Sequence, residues 1–132
     1  MERMKVHHVG YAVKKIEKAA SVFEELGYIP DEITEDSIRN IKIMFMENGT
    51  ERIELVAPNG ENSPIDGVLK NNGPTPYHIC YEVPDMDNAV QELKEMGWMV
   101  IKEKEKAPAI GGAPVVFLYN RHAGMMELVE IK

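Results

Sequence analysis

Two tandem βαβββ modules of the α+β class, forming one cupped mixed sheet, are what this sequence predicts. The first supporting observation is an internal repeat. Residues 7–30, HHVGYAVKKIEKAASVFEELGYIP, align without a gap on residues 77–100, YHICYEVPDMDNAVQELKEMGWMV, at a constant spacing of 70 (His8 to His78). Tyr11 then falls on Tyr81, Val13 on Val83, Ala19 on Ala89 and Gly27 on Gly97, with Phe23 over Leu93 and Tyr28 over Trp98. The second observation is a later matched segment. Arg52-Ile53-Glu54-Leu55-Val56 lies over Met125-Met126-Glu127-Leu128-Val129 at a spacing of 73 (Glu54 to Glu127), so the intervening loops differ by three residues. The third is a change of hydrophobic period, from strand-like to helix-like, in the same place in both copies.

Taken in order, residues 6–13 alternate as a strand does. Ile16, Ala19, Ala20, Phe23 and Leu26 then fall on one stripe of a helix, and Met86, Ala89, Val90, Leu93 and Met96 repeat that spacing. Gly27 and Gly97 stand where glycine ends a helix, and Asp85 is suited to cap the second one. Strands are expected over 28–32, 38–47 and 51–57 in the first copy, and over 99–103, 114–119 and 125–131 in the second. Asn48-Gly49 is a hairpin turn signal. Residues 59–76 are rich in Gly, Asn and Pro and read as a connector. Within it Ser63-Pro64 opens a short helix through Leu69, with serine as the cap.

The length fits a single domain over 1–132, with module one about 5–58, the connector about 59–76 and module two about 77–132. With 44% hydrophobic and 28% charged residues the composition is that of a globular protein. A formal charge of −7 disfavours nucleic acid and anionic membrane as partners. Cys80 is the only cysteine, so no internal disulfide forms and a reducing compartment is expected. No run approaches the roughly 20 apolar residues that span a bilayer, and the first residues lack the apolar stretch of a secretory signal. The expected location is the cytoplasm.

Strand parity then selects candidate site residues, because side chains alternate between the two faces. Val9, Tyr11 and Val13 form an apolar face for the helix to cover, and His8 has the other parity. Ile79, Tyr81 and Val83 do the same around His78, which shares its parity with Cys80. Glu54 sits between Ile53 and Leu55, and Glu127 between Met126 and Leu128. All four polar residues therefore point away from the helices. Taken singly, each reads as a packed histidine or a solvated strand glutamate. At matched places in both copies, two imidazoles and two carboxylates read as the ligands of one divalent ion. Cys80 is read as a small buried filler, and His7 and His122 as bystanders.

These residues resemble the vicinal oxygen chelate superfamily, whose paired βαβββ modules cup a metal. The match runs from HHVGYAV through ELVEI, and its ligand-bearing strands appear in order as His-(Val/Ile)-x-Tyr-x-Val and (Ile/Met)-Glu-Leu-Val. The resemblance implies that His8, Glu54, His78 and Glu127 ligate a metal, with Glu127 and Glu54 also catalytic. Nickel, zinc, cobalt and iron all suit such a set. A glutamate at position 54 points to the isomerase branch of the superfamily, glyoxalase I and methylmalonyl-CoA epimerase. Phe117-Leu118-Tyr119-Asn120 departs from the Phe-Leu-His-Pro of many epimerases, and Tyr77 replaces the first histidine of their His-His pair. On that ground the expected activity is a glyoxalase I-type lyase. It would move a proton next to a carbonyl, through a metal-stabilised enediolate, on the hemithioacetal of a 2-oxoaldehyde. Methylmalonyl-CoA epimerase is the alternative, and a non-catalytic, drug-resistance-like binding protein the second. The implied partners are a small thiol-linked substrate, with Arg39, Lys102, Lys104 and Arg121 as available cations, and a second copy in a homodimer. Gly111-Gly112 lies in a loop that is either a lid or a plain turn.

Overall fold

The computed structural model describes residues 1–132 and has eight strands and three α-helices. Two compact units divide the chain, one comprising His8–Tyr77 and the other His78–Lys132 with Met1–His7. No helix is long and apolar enough to cross a membrane.

The first unit runs from within β1 (Lys5–Ala12) through α1 (Ile16–Glu25), β2 (Ile29–Asp36), β3 (Ile41–Asn48), β4 (Glu51–Pro58) and α2 (Asp66–Asn72). Its strands hydrogen-bond in the order β2-β3-β4-β1, with β1 parallel to β4 and the other pairs antiparallel. Ile16 and Ala20 of α1, with Ala19 and Phe23, pack on Met44, Met46, Ile53, Leu55 and Ala57, joined by Tyr11 and Val13. Burial of each large aliphatic side chain here contributes about 2 kcal/mol.

The second unit repeats the plan from within β5 (Thr75–Val83) through α3 (Met86–Glu95), β6 (Met99–Ala107), β7 (Ala113–Asn120) and β8 (Gly124–Glu130). Its order is β5-β8-β7-β6, again with one parallel pair, β5 on β8. Met86, Ala89 and Leu93 of α3 pack on Val116, Leu118, Met126 and Leu128. The α+β class and the paired βαβββ modules are therefore as the sequence predicts.

Helices α1 and α3 end in one way for one reason. Gly27 and Gly97 each have φ near +97°, a conformation that a side chain disfavours. The Gly27 N–H donates to Glu24 O and Tyr28 N–H to Phe23 O, and Gly97 and Trp98 repeat this with Lys94 and Leu93. These are the two hydrogen bonds of a Schellman motif. Asp85 caps α3 as expected, its carboxylate accepting from Asn88 N–H at 3.1 Å, whereas Lys15 offers α1 no side-chain cap.

Several boundaries differ from expectation. Strand β2 continues to Asp36, and β3 starts only at Ile41. The buried Asp36 carboxylate accepts from the N–H groups of Ile38 and Arg39 and pairs with the Arg39 guanidinium at 2.6 Å. Those bonds fix a turn in which Ile38 is 72% exposed. Strand β6 runs on through the Lys/Glu stretch to Ala107. It pairs with β7 alone within its unit, and its register shifts twice. Charges and bulges of this kind suit an edge strand and erase the apolar alternation that would reveal it. Ser63 is not the cap of α2, which starts at Asp66. Instead the Asp66 carboxylate accepts from Ser63 N–H at 2.9 Å, and the Ser63 hydroxyl is buried without a hydrogen-bond partner.

Asp85→Ala should therefore lower unfolding stability by about 1 kcal/mol in a denaturant titration. Ser63→Ala should stay within about 0.5 kcal/mol of the parent, because it removes no hydrogen bond.

Candidate functional site

In the first unit the face of the sheet opposite α1 carries His8 and Glu54. Alternation dictates this: Ile53 and Leu55 join the α1 core, so Glu54 between them points the other way. His8 and Glu54 are buried, at 0% and 6% exposure, and His8 Nε2 lies 3.4 Å from Glu54 Oε1. Across the β3–β4 ladder Glu54 pairs with Phe45, and across β1–β4 with Gly10. The Phe45 ring stands edge-on to His8, with centroids 5.2 Å apart and planes at 75°.

The second unit builds the same arrangement again. His78 and Glu127 are each 5% exposed, and His78 Nε2 lies 3.1 Å from Glu127 Oε1. Phe117 pairs with Glu127 across β7–β8, and Cys80 pairs with it across β5–β8. The Phe117 ring stands edge-on to His78 at 5.6 Å and 82°. Each unit thus surrounds one carboxylate with an imidazole, a phenyl edge and one small residue, glycine or cysteine.

The parity expectation places His8, Glu54, His78 and Glu127 correctly on the faces away from the helices. Two flanking residues behave differently: Val9 does not join the α1 core, and Ile79 does not join the α3 core and is 40% exposed. Phe45 and Phe117 are not among the residues that strand parity selects. Their spacing of 72 (Phe45 to Phe117) lies between the 70 and 73 of the flanking matches, and that was the available signal. Cys80 packs with Ala107, Val115 and Val129 as a small filler. His122 sits in the β7–β8 turn, its N–H bonded to the Asn120 side chain.

The four cations available to a thiol-linked substrate, whose plainer reading is surface solvation, all have local partners. Arg39 pairs with Asp36, Lys102 with Glu105 at 3.3 Å and Lys104 with Asp87 at 3.4 Å, while Arg121 Nε donates to His122 Nε2. Away from both pairs, burial and then the Glu51 carboxylate raise the Tyr28 phenol above its ordinary range, so it stays neutral at physiological pH.

Duplicated modules that each present a histidine–glutamate pair define the class. The chain belongs to the Glyoxalase/Bleomycin resistance protein/Dioxygenase superfamily, whose family model matches residues 7–117. Among its relatives are the ethylmalonyl-CoA/methylmalonyl-CoA epimerase of Cereibacter sphaeroides, 36% identical over 96% of this chain and 98% of that protein, and the human mitochondrial methylmalonyl-CoA epimerase, 35% identical over 97% of this chain and 73% of that protein. A crystal structure of a hypothetical protein from Bacillus halodurans C-125 shares the fold with a TM-score of 0.88 at 30% identity, covering 99% of this chain and 96% of that one.

These relatives overturn the expectation of a glyoxalase I-type lyase. At 33–36% identity, the mouse, human, bovine and Cereibacter proteins carry the name of the alternative, methylmalonyl-CoA epimerase. The expectation leaned on residues that do structural work. Tyr119 is exposed on β7, and the Asn120 side chain accepts from His122 N–H while donating to Gly97 O. Tyr119 and Asn120 therefore differ from the epimerase pattern at an exposed strand position and at a turn, and neither belongs to a histidine–glutamate pair.

Tyr119→His should accordingly change stability by less than about 0.5 kcal/mol. Asn120→Ala, which removes bonds at two turns, should cost about 1–2 kcal/mol in thermal or denaturant unfolding.

Proposed function

We propose that this protein is an epimerase of 2-alkylmalonyl-CoA thioesters, methylmalonyl-CoA first among them. What supports this most is the kinship with proteins of that name along nearly the whole chain. We further propose that His8, Glu54, His78 and Glu127 together hold one divalent ion. The donor chemistry fits: two imidazole nitrogens and two carboxylate oxygens, all buried, form a set suited to nickel, zinc, cobalt or iron. Burying two carboxylates is costly unless positive charge compensates them, and a divalent cation supplies it.

When bound, the ion would act as a Lewis acid toward the negative charge that develops on the substrate oxygens. The residues of the chain supply the proton transfers. The α-carbon of a 2-alkylmalonyl thioester carries one hydrogen between two carbonyl carbons. The Glu127 carboxylate takes that proton, and the C–H electron pair moves into the enolate. A protonated Glu54 delivers a proton to the opposite face, which inverts the centre with no net change in atoms. The reverse reaction exchanges the two roles. Each glutamate has two oxygens, so ligation and proton transfer need not compete for one atom. His8 and His78 hold the carboxylates in place, and Phe45 and Phe117 keep water from them. A homodimer forms part of the same proposal, since Val22 and Leu26 in one unit and Ile79 and Met96 in the other are apolar and exposed.

Incubation with methylmalonyl-CoA in heavy water tests the assignment. The α-hydrogen should exchange for deuterium, and Glu127→Gln should slow that exchange by roughly 10²–10⁴-fold while the bound metal measured by elemental analysis is retained. Absence of exchange by the metal-loaded parent protein would refute the epimerase assignment.

A further inference from the structure

The two units diverge at one connection. In the first, β2 and β3 are joined by the polar turn at residues 37–40, held by the Asp36 carboxylate. In the second, β6 and β7 are joined by Pro108-Ala109-Ile110-Gly111-Gly112, which has no charged residue. This loop makes a 3-10 turn over Pro108–Ile110, then takes two left-handed steps at Gly111 (φ +61°) and Gly112 (φ +81°). The Gly112 N–H donates to Ala107 O at 2.9 Å, which closes the loop at its base.

Ile110 and Ala113, both half-buried, pack against Cys80, Ala107, Val115 and Val129. Parity and register identify the face of the sheet involved. Cys80 is two residues from His78 and stands opposite Glu127. Val129 is two residues beyond Glu127 and pairs with Val115, which is two from Phe117. An apolar wall therefore continues from Phe117 along the face that carries His78 and Glu127. Its nearest members lie about 7 Å from those residues along their strands.

We propose that Ile110 determines how large an alkyl group the α-carbon of the substrate can carry. This rests on the epimerase function proposed above. The α-carbon of a 2-alkylmalonyl thioester bears a carboxylate, a thioester carbonyl, a hydrogen and an alkyl group. The first two require polar partners and the hydrogen requires a base. Only the alkyl group gains from contact with a wall of valine, cysteine and isoleucine. Ile110 is the largest side chain in the loop, and its neighbours Ala109, Gly111, Gly112 and Ala113 are small. A Cβ built on Gly111 or Gly112 meets nothing within 4 Å, so open space adjoins Ile110. Such a wall discriminates one methylene by roughly 10–200-fold.

The test compares the parent protein with Ile110→Ala and Ile110→Phe in two measurements. The first is the ratio of kcat/KM for ethylmalonyl-CoA to that for methylmalonyl-CoA. The second, free of turnover, is the ratio of Kd values for butyryl-CoA and propionyl-CoA by calorimetry. Ile110→Ala should shift both ratios about 10-fold toward the longer chain, and Ile110→Phe should shift them toward the shorter one, within the range that a single methylene allows. Should Ile110→Phe fail to fold, Ile110→Val takes its place with a smaller shift toward the longer chain. Ratios unchanged in folded variants of an active parent would overturn the role of Ile110 alone. A parent that epimerises neither thioester would refute the proposed function, and the role of Ile110 with it.

Discussion

In each unit the fold depends on a carboxylate buried beside an imidazole, on the face of a sheet whose other face is sealed by a helix. Such a carboxylate is tolerated only where hydrogen-bond donors or positive charge compensate for lost hydration. The alternation of strand side chains makes the arrangement possible. Ile53 and Leu55, or Met126 and Leu128, anchor the strand in the apolar core and thereby aim the intervening glutamate the other way. A register slip of one residue would send the carboxylate into the helix-side core and the leucine out of it. Core packing and site geometry are thus specified by the same residues.

The helices serve that registration. Helices α1 and α3 each cover one apolar sheet face and are each ended by a glycine at φ near +97°, so the chain re-enters the sheet at a set point. Duplication brought the whole device along, including the phenyl edge against the imidazole at nearly the same distance and angle. The units have diverged in their connections, where the carboxylate pairs are not at stake. One connection is a polar turn clasped by Asp36, and the other an apolar loop resting on the carboxylate-bearing face.

Repetition made much of this legible in the sequence. A lone histidine or glutamate in a strand says little, but His8 with His78 and Glu54 with Glu127 share both spacing and flanking apolar residues. The helix stripes and terminal glycines were visible for the same reason. Features set by tertiary partners were not. The Lys/Glu stretch of β6 is a strand only because β7 pairs with it. Ser63 resembles a helix cap, yet Asp66 makes the hydrogen bond at the start of α2. Phe45 and Phe117 look like ordinary core phenylalanines until the ladder sets them opposite Glu54 and Glu127. The choice between two reactions of one branch turned on Tyr77, Tyr119 and Asn120, none of which belongs to either carboxylate pair. Kinship along the chain corrected that choice.

Metal stoichiometry tests most directly the proposal that both pairs serve a single ion. Elemental analysis of the purified protein, alongside His8→Ala and His78→Ala, should find one divalent ion per chain in the parent. Either substitution, made in either unit, should remove nearly all of it. Two ions per chain, or loss of only half the metal on substitution in one unit, would contradict a shared site.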